Sequence, residues 1–318
     1  KMSDQRVEGY RNFATKLWNA ARFCEMNECV TVPDFDQKSV RQNLNRWIIG
    51  RLAVARQAVD LALEGYRYDA AASALYQFAW GEFCDWHLEF AKPVFQGQDE
   101  AAKAETRAVT AWVLGQLLHL MHPFMPFITE ELWTQVGPKG SGQLMTAHWP
   151  EVANDLIDAQ ADADLGWVIR LVTEVRALRS EMNVPMSTLV TLQVKDANDA
   201  TRARIAQYCY LIRRLARVQQ IDFISGEGAQ CSALIVLDEA TVFLPLAEII
   251  DIAKERARLT KDLDKAKAEA GKIEKKLDNP QFIAKADPDV IEEQRTKLAD
   301  VQQAQTKLIQ ALERLSKI

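Results

Sequence analysis

The 318-residue sequence lacks any apolar run long enough to span a bilayer, because charges interrupt every hydrophobic stretch. It also has no apolar segment behind a basic start. These absences predict a cytoplasmic protein with no membrane partner. Cysteine is sparse: Cys24, Cys29, Cys84, Cys209 and Cys231 include no C-x-x-C pair, and a zinc site needs four ligands at recognisable spacing. All five read as buried or free thiols, and no metal site is expected. There is no Gly-rich phosphate loop, no H-E-x-x-H and no G-x-S-x-G. His87, His119, His122 and His148 stand in aromatic or Pro-rich surroundings, where a histidine is more often packed than catalytic. Asp85 and His87, two apart on a helix, diverge. A formal net charge of −5 rules out a uniformly basic surface, so any contact with nucleic acid must come from local patches.

What is present is a globular composition, 48% hydrophobic and 26% charged, sufficient for two or three packed domains. The predicted class is mainly α, in three parts. Residues 1–150 read as a helix bundle. Its first helix repeats Val7, Tyr10, Ala14, Leu17, Ala21 and Cys24 as one core stripe, and Pro33 and Asp34 interrupt it. The second helix carries Leu44, Ile48, Leu52, Ala55 and Val59 and runs to about Gly65. The third runs from Tyr68 to Phe90, before Pro93, and the fourth from about Ala101 to His122, ahead of Ile128–Val136. The acidic stretch Glu151–Asp164 reads as a linker or an exposed crossing.

Residues 151–248 read as a small α+β domain. Helices over Leu165–Met182 and Asn198–Leu215 alternate with strands at Thr188–Val194, Val218–Ile224, Ser232–Leu237 and Thr241–Leu246, the last two joined in a hairpin at Asp238-Glu239. Residues 249–318 carry two heptad seams, one through Leu259, Leu263, Ala266, Ala270, Ile273 and Leu277, the other through Ile291, Gln294, Leu298, Val301, Gln305, Leu308, Leu312 and Leu315. Two seams separated by a loop make an antiparallel two-helix coiled coil, with Phe282 and Ile283 at its tip.

Several faces carry recognition chemistry beside a bland alternative. Asn12, Lys16, Asn19 and Phe23 share one face of the first helix, and amide, ammonium and aromatic groups read and stack on unpaired bases. The same spacing also suits a solvated face on which Phe23 packs against a neighbouring helix. Trp47 and Arg51, four apart, form either a stacking pair or an edge of the core. Arg170, Arg176 and Arg179, and likewise Arg202, Arg204, Arg213, Arg214 and Arg217, offer guanidinium groups to phosphate or form ordinary solvated faces. In the arm, Lys261, Lys265, Lys272 and Lys276 belong to a helix whose bases outnumber its acids, suited to solubility or to an RNA backbone.

Three runs carry a family resemblance. Arg6-Val7-Glu8-Gly9-Tyr10-Arg11-Asn12-Phe13 with Lys16-Leu17-Trp18-Asn19-Ala20-Ala21-Arg22-Phe23, the run Trp80–Glu89, and His122-Pro123-Phe124-Met125-Pro126-Phe127-Ile128-Thr129-Glu130-Glu131-Leu132-Trp133 resemble the anticodon-binding region of valyl-tRNA synthetases. The leucyl and isoleucyl enzymes share the general shape of the third run. The terminal coiled coil is similar to the valyl arm, whereas an isoleucyl enzyme would end in zinc-binding cysteines. Lys1-Met2-Ser3 is not the nucleotide-binding K-M-S-K-S signature, since Asp4-Gln5 follows, and the H-I-G-H signature is absent. The resemblance implies a tRNA(Val)-binding, monomeric region of an enzyme that uses ATP and Mg when whole. The chain itself is expected to have no cofactor and no activity. The resemblance points to Asn12, Lys16, Asn19, Arg22 and Phe23, and to Arg46, Trp47 and Arg51, as the bundle's tRNA contacts. Replacing Phe23 or Trp47 by Ala is expected to weaken tRNA binding more than it lowers the melting temperature. A coiled-coil scaffold protein is the alternative of another class.

Overall fold

A computed structural model describes residues 4–138, 140–229, 232–246, 252–279 and 288–316. The expected tip at Phe282 and Ile283, Leu277–Pro288 loop positions 280–287, and Cys231 lie outside them, as does the side chain of Val7. The chain divides into two compact units, 1–166 and 167–318.

The first unit contains α1 (Asp4–Met26), α2 (Asn43–Glu64), α3 (Tyr68–Tyr76), α4 (Leu88–Gln96), α5 (Glu100–Met121) and α6 (Pro126–Val136). Between α3 and α4 the chain stays helical as a π-helix over Gln77–His87. The expected stop before Pro93 is therefore corrected: Pro93 lies inside α4, where it removes one donor, and the helix ends shortly afterwards at Gly97. The α1 stripe also needs correction. Tyr10 is exposed, and the inward positions are Phe13, Leu17, Ala20, Ala21 and Cys24, because Phe13 packs on Tyr76 with ring centroids 4.9 Å apart. Leu17, Ile48, Leu52, Phe78, Phe83, Phe90 and Leu114 are fully buried; each such side chain contributes about 1.5–3 kcal/mol.

The start of α2 has no cap of its own. Glu105 of α5 supplies one, accepting from the N–H groups of Arg41 (3.0 Å) and Gln42 (2.8 Å) and from the Asn45 amide (2.9 Å). Of the two readings of the acidic stretch Glu151–Asp164, the structure takes the crossing rather than the linker: it is mostly exposed yet lies against α2. Val152 is buried, and Arg56 donates to its carbonyl at 3.2 Å. A Cβ on Gly50 would meet the backbone of Leu156, Ile157 and Asp158 at 3.4 Å, so glycine allows the stretch to lie directly against α2. Asp158 then caps α7 (Ala159–Glu181) by accepting from Gln160 N and Ala161 N at 3.0 and 2.9 Å.

In the second unit, β1 (Val190–Lys195), α8 (Asp199–Ala216) and β2 (Val218–Ile224) form a parallel βαβ unit; β3 (Ser232–Leu237) and β4 (Ala240–Pro245) complete a sheet in the order β2-β1-β4-β3. Asn198 caps α8 through Thr201 N at 2.8 Å. The β3–β4 hairpin turns at Asp238-Glu239 as expected, with Asp238 at φ 53°. Alternate residues along β3 and β4 are buried, which fixes their register. Helices α9 (Ile252–Leu277) and α10 (Pro288–Ser316) pair as the expected hairpin, burying Leu259, Leu263, Ala270, Ile273 and Ala311, while Gln305 donates to the Ala266 carbonyl at 3.0 Å. At about 1.5 Å per residue each helix is on the order of 40 Å long. No helix among the described residues is long and apolar enough to cross a membrane.

His87 is fully buried, with Nε2 2.9 Å from Thr110 Oγ1, and burial pushes its pKa down to about 3. An unfolded histidine titrates near 6.5, so below that pH the unfolded chain binds a proton that the folded chain refuses. This contribution to stability is fully present above pH 6.5 and is lost as pH falls towards 3, at about 1.4 kcal/mol per pH unit. Denaturant unfolding between pH 6 and 4 should show a slope smaller by about that amount in His87→Phe than in the unsubstituted chain; parallel curves would contradict the burial.

Candidate nucleic-acid interface

The α1 face expected from the sequence forms, and the π-helix supplies its other half. Asn12 and Asn19 are exposed, Lys16 and Phe23 half-buried, and Arg22 exposed on the adjoining flank. The Lys16 ammonium pairs with Asp85 and stands 3.7 Å from the centroid of the Trp80 ring. Trp80 and Asp85 are five residues apart. In an α-helix they would be separated by about 140° around the axis, at 3.6 residues per turn. The i→i+5 bonding of a π-helix brings such positions onto one face. Trp80 also stacks on Tyr76 (5.7 Å, 23°) and Phe13 (6.2 Å, 20°), and Tyr76 is open to solvent. The result is a group of stacked rings with a cation over Trp80 and amides along α1. Tyr76 is not singled out by the sequence, and Asp85 stands out only beside His87 and within the Trp80–Glu89 run. The available signal was the aromatic pair Tyr76 and Trp80 at a four-residue step, with Trp80 opening a family-like run.

Phe23 lies at the end of this face, 6.1 Å from Phe95 and 5.7 Å from the Lys92 ammonium. Of the two readings open for Trp47 and Arg51, the structure takes the core edge rather than the stacking pair. Trp47 is only 3% exposed and meets Phe90 edge-on at 6.2 Å, so it offers no ring to a base. Its neighbours Ile48 and Ile49 draw that side of α2 into the core. Arg51 turns instead to Glu82 of the π-helix, donating from Nε at 2.9 Å and from Nη2 at 2.6 Å, with Asp162 of α7 at 3.6 Å. The Glu82 hydrogen bond raises the Arg51 pKa against the opposing effect of burial. Arg46 bonds Asn43 and approaches Asp158 at 3.3 Å. It lines a groove of about 400 Å³ with Lys38, Val40, Ile49 and the 155–159 backbone. Both arginines thus meet carboxylates of the protein itself.

In the second unit the two arginine sets separate. Arg176, itself exposed, donates to Leu215 O at 2.8 Å, and the buried Arg179 to Pro185 O and Thr188 O at 3.1 and 2.8 Å, so both α7 guanidinium groups engage backbone carbonyls and that of Arg179 is withdrawn from solvent. Arg170 pairs with Asp238 at 2.7 Å, and Arg202 stacks on Phe223 at 4.5 Å. In the arm, Lys261, Lys265, Lys272 and Lys276 are all exposed, Lys265 lying 3.4 Å from Asp262. No group of three or more His, Cys, Asp or Glu side chains that could hold a metal exists among the described residues. Burial pushes the Cys84 thiol up to about 12; Cys24 is raised chiefly by its hydrogen bond with Cys29. Neither thiol is poised as a nucleophile.

Comparison with known proteins agrees with this geometry. A family model described as the anticodon-binding domain of tRNA ligase matches residues 45–195, and one described as the valyl tRNA synthetase tRNA binding arm matches residues 251–316. The chain is 49% identical over 321 residues to a valine–tRNA ligase of Caulobacter vibrioides, covering 100% of the chain and 35% of that protein. It is 46% identical to one of Mesorhizobium japonicum and 44% to one of Brucella suis, with 99% of the chain and 34% and 35% of those proteins covered. The chain therefore spans about a third of the length of the curated relatives it matches.

Two consequences are measurable. Trp47→Ala should cost about 3–5 kcal/mol of unfolding free energy, the range for removing a buried aromatic side chain. Arg51→Met and Glu82→Leu should each destabilise by leaving the other charge half-buried, and the double variant should recover most of the loss. Additive losses in that cycle would show that the pair is not coupled.

Proposed function

We propose, from a chain that belongs to the valyl-tRNA synthetase family and matches its relatives along its whole length, that this region recognises and holds tRNA(Val). The observation that carries the reading is the Lys16 site: an ammonium over the Trp80 ring, beside Tyr76 and between two exposed asparagines. Aromatic platforms with cations and amides suit unpaired bases, such as those of an anticodon loop. In this reading residues 1–150 bind the anticodon stem-loop, 151–248 connect, and 249–318 form an arm against the tRNA backbone. Asn12, Lys16, Asn19, Arg22 and Phe23 are the bundle's direct contacts. Arg46 and Arg51 hold the bundle together, with their exposed edges left for phosphate, and Trp47 supports them from the core. Lys261, Lys265, Lys272 and Lys276 meet phosphates along the arm.

The whole protein attaches valine to tRNA in the cytoplasm using ATP and Mg. The residues of this chain do not fit a site for either: the described residues offer no metal-ligand cluster, and Lys1-Met2-Ser3 continues as Asp4-Gln5. Catalysis belongs to the remaining length of the relatives. The role of this region is then positional, fixing tRNA so that its acceptor end reaches a distant active site.

Binding of the chain to unmodified valine tRNA and isoleucine tRNA across a salt series tests this. Valine tRNA should bind preferentially and with steep salt dependence. Lys16→Gln and Trp80→Ala should each weaken binding roughly tenfold, the scale of one lost stacking contact, without a matching fall in melting temperature. Substituting the four arm lysines by Gln should flatten the salt dependence. Preference for isoleucine tRNA would transfer the region to the isoleucyl branch, and a salt-insensitive dimer without RNA affinity would favour the scaffold alternative.

A further inference from the structure

The end of α8 is built in a way that stability alone does not explain. Arg217 closes the helix at φ 56°, ψ 48°, and its N–H bonds Arg213 O. Glycine or asparagine ordinarily fills such a left-handed cap, because a larger side chain is strained there. The Arg217 carbonyl accepts from Val190 N at 3.0 Å and from Arg179 Nη1 at 3.4 Å. Arg179 is 6% exposed, and its guanidinium is spent on three carbonyls, those of Arg217, Pro185 and Thr188. No carboxylate pairs with it among the described residues, and burial followed by the nearby Arg217 charge lowers its pKa. A second guanidinium, Arg176, caps the Leu215 carbonyl.

Above this buried charge the surface is basic again. Arg213 and Arg217 are exposed and form no ion pair among the described residues. Tyr210 is 61% exposed, with Arg214 Nη1 3.5 Å from its hydroxyl, and Gln219 and Gln220 extend the exposed face into β2. The sole acid of α8, Asp199, lies at its opposite end. A chain of net charge −5 thus gathers positive charge at one corner, and keeps it there through a strained cap and a cation buried without a counter-ion.

We propose that this corner of the α+β unit is a further RNA contact, in which Arg213 and Arg217 grip the phosphodiester backbone and Tyr210 stacks on a ribose or base. Guanidinium forks match phosphate geometry and an exposed tyrosine suits an unpaired nucleotide, while Gln219 and Gln220 donate to Thr191 and Asp222 of the protein itself. The proposal rests on the tRNA reading above and assigns to residues 199–220 a binding role in addition to connecting.

The deciding variant is Arg217→Asn, because asparagine fits the left-handed cap and removes the charge. Its melting temperature should equal or exceed that of the unsubstituted chain. Its affinity for valine tRNA should fall several-fold, and log affinity against log salt should become less steep by about one unit. Arg213→Gln combined with Arg217→Asn should flatten the slope further. Unchanged tRNA affinity and slope in the double variant would overturn the corner while leaving the tRNA reading intact, as would a lower melting temperature for Arg217→Asn, which would make the arginine a structural cap. If the chain binds no tRNA at all, the tRNA reading fails. The corner is then judged on a polyuridylate column: earlier elution of the double variant supports an RNA grip, and co-elution overturns it, an outcome that would favour an acidic protein surface as the partner.

Discussion

The wide helical turn between Gln77 and His87 sets the geometry on which the bundle's proposed recognition face depends. With bonds spanning five residues, Trp80 and Asp85 meet one lysine from α1, while Phe78 and Phe83, also five apart, both enter the core. Glu82 is thereby aimed at Arg51 of α2 and His87 is buried against Thr110 of α5. An ordinary α-helix over the same residues would separate the members of each pair by about 140° around its axis. π-Helical turns are rare and concentrate at functional sites, consistent with a segment that places an aromatic platform at some cost in backbone regularity.

Charge is divided by position. Four arginines serve internal geometry: Arg51 joins the π-helix to α7, Arg46 meets the residue that caps α7, and Arg176 and Arg179 bond carbonyls around the end of α8. Planar guanidinium forks can bind several acceptors at fixed angles, which a lysine cannot do. Lysines dominate the exposed side of α9, where a mobile point charge suits a phosphate backbone with no single register. Arg213 and Arg217 stand out because, among the described residues, they have the fork without an internal acceptor for it.

Periodicity made much of this legible in the sequence. The alternation at Ser232–Leu237 and the heptads through Leu259, Leu263, Ala270 and Ile273 each read correctly, because one face of each element is buried against its immediate neighbour. The points left open or missed involve distant partners. Glu151–Asp164 reads as a linker or a crossing until Gly50 is seen to admit its backbone against α2. Trp47 sits at the margin of a stripe, and only the position of Phe90 decides that it turns inward. The π-helix has no period of its own in the sequence, so the pairing of Lys16 with both Trp80 and Asp85 was hidden although each residue belongs to a quoted motif.

The arm is the part whose stability would depend most on the proposed RNA ligand. Its seam is narrow: most α10 positions facing α9 are half-buried, and at Gln305 an amide donating to a backbone carbonyl replaces an apolar contact. Along α9, Lys254, Arg256, Arg258, Lys261, Lys265, Lys267, Lys272, Lys275 and Lys276 repel one another, offset only in part by pairs such as Arg258–Asp262 and the interhelical Lys297–Glu269. Surface pairs of this kind contribute little. A polyanion laid along α9 would relieve that repulsion, and whatever binds the folded hairpin preferentially also stabilises it. In the proposed tRNA reading, the same row of charges that weakens the isolated arm would couple its folding to the binding of RNA.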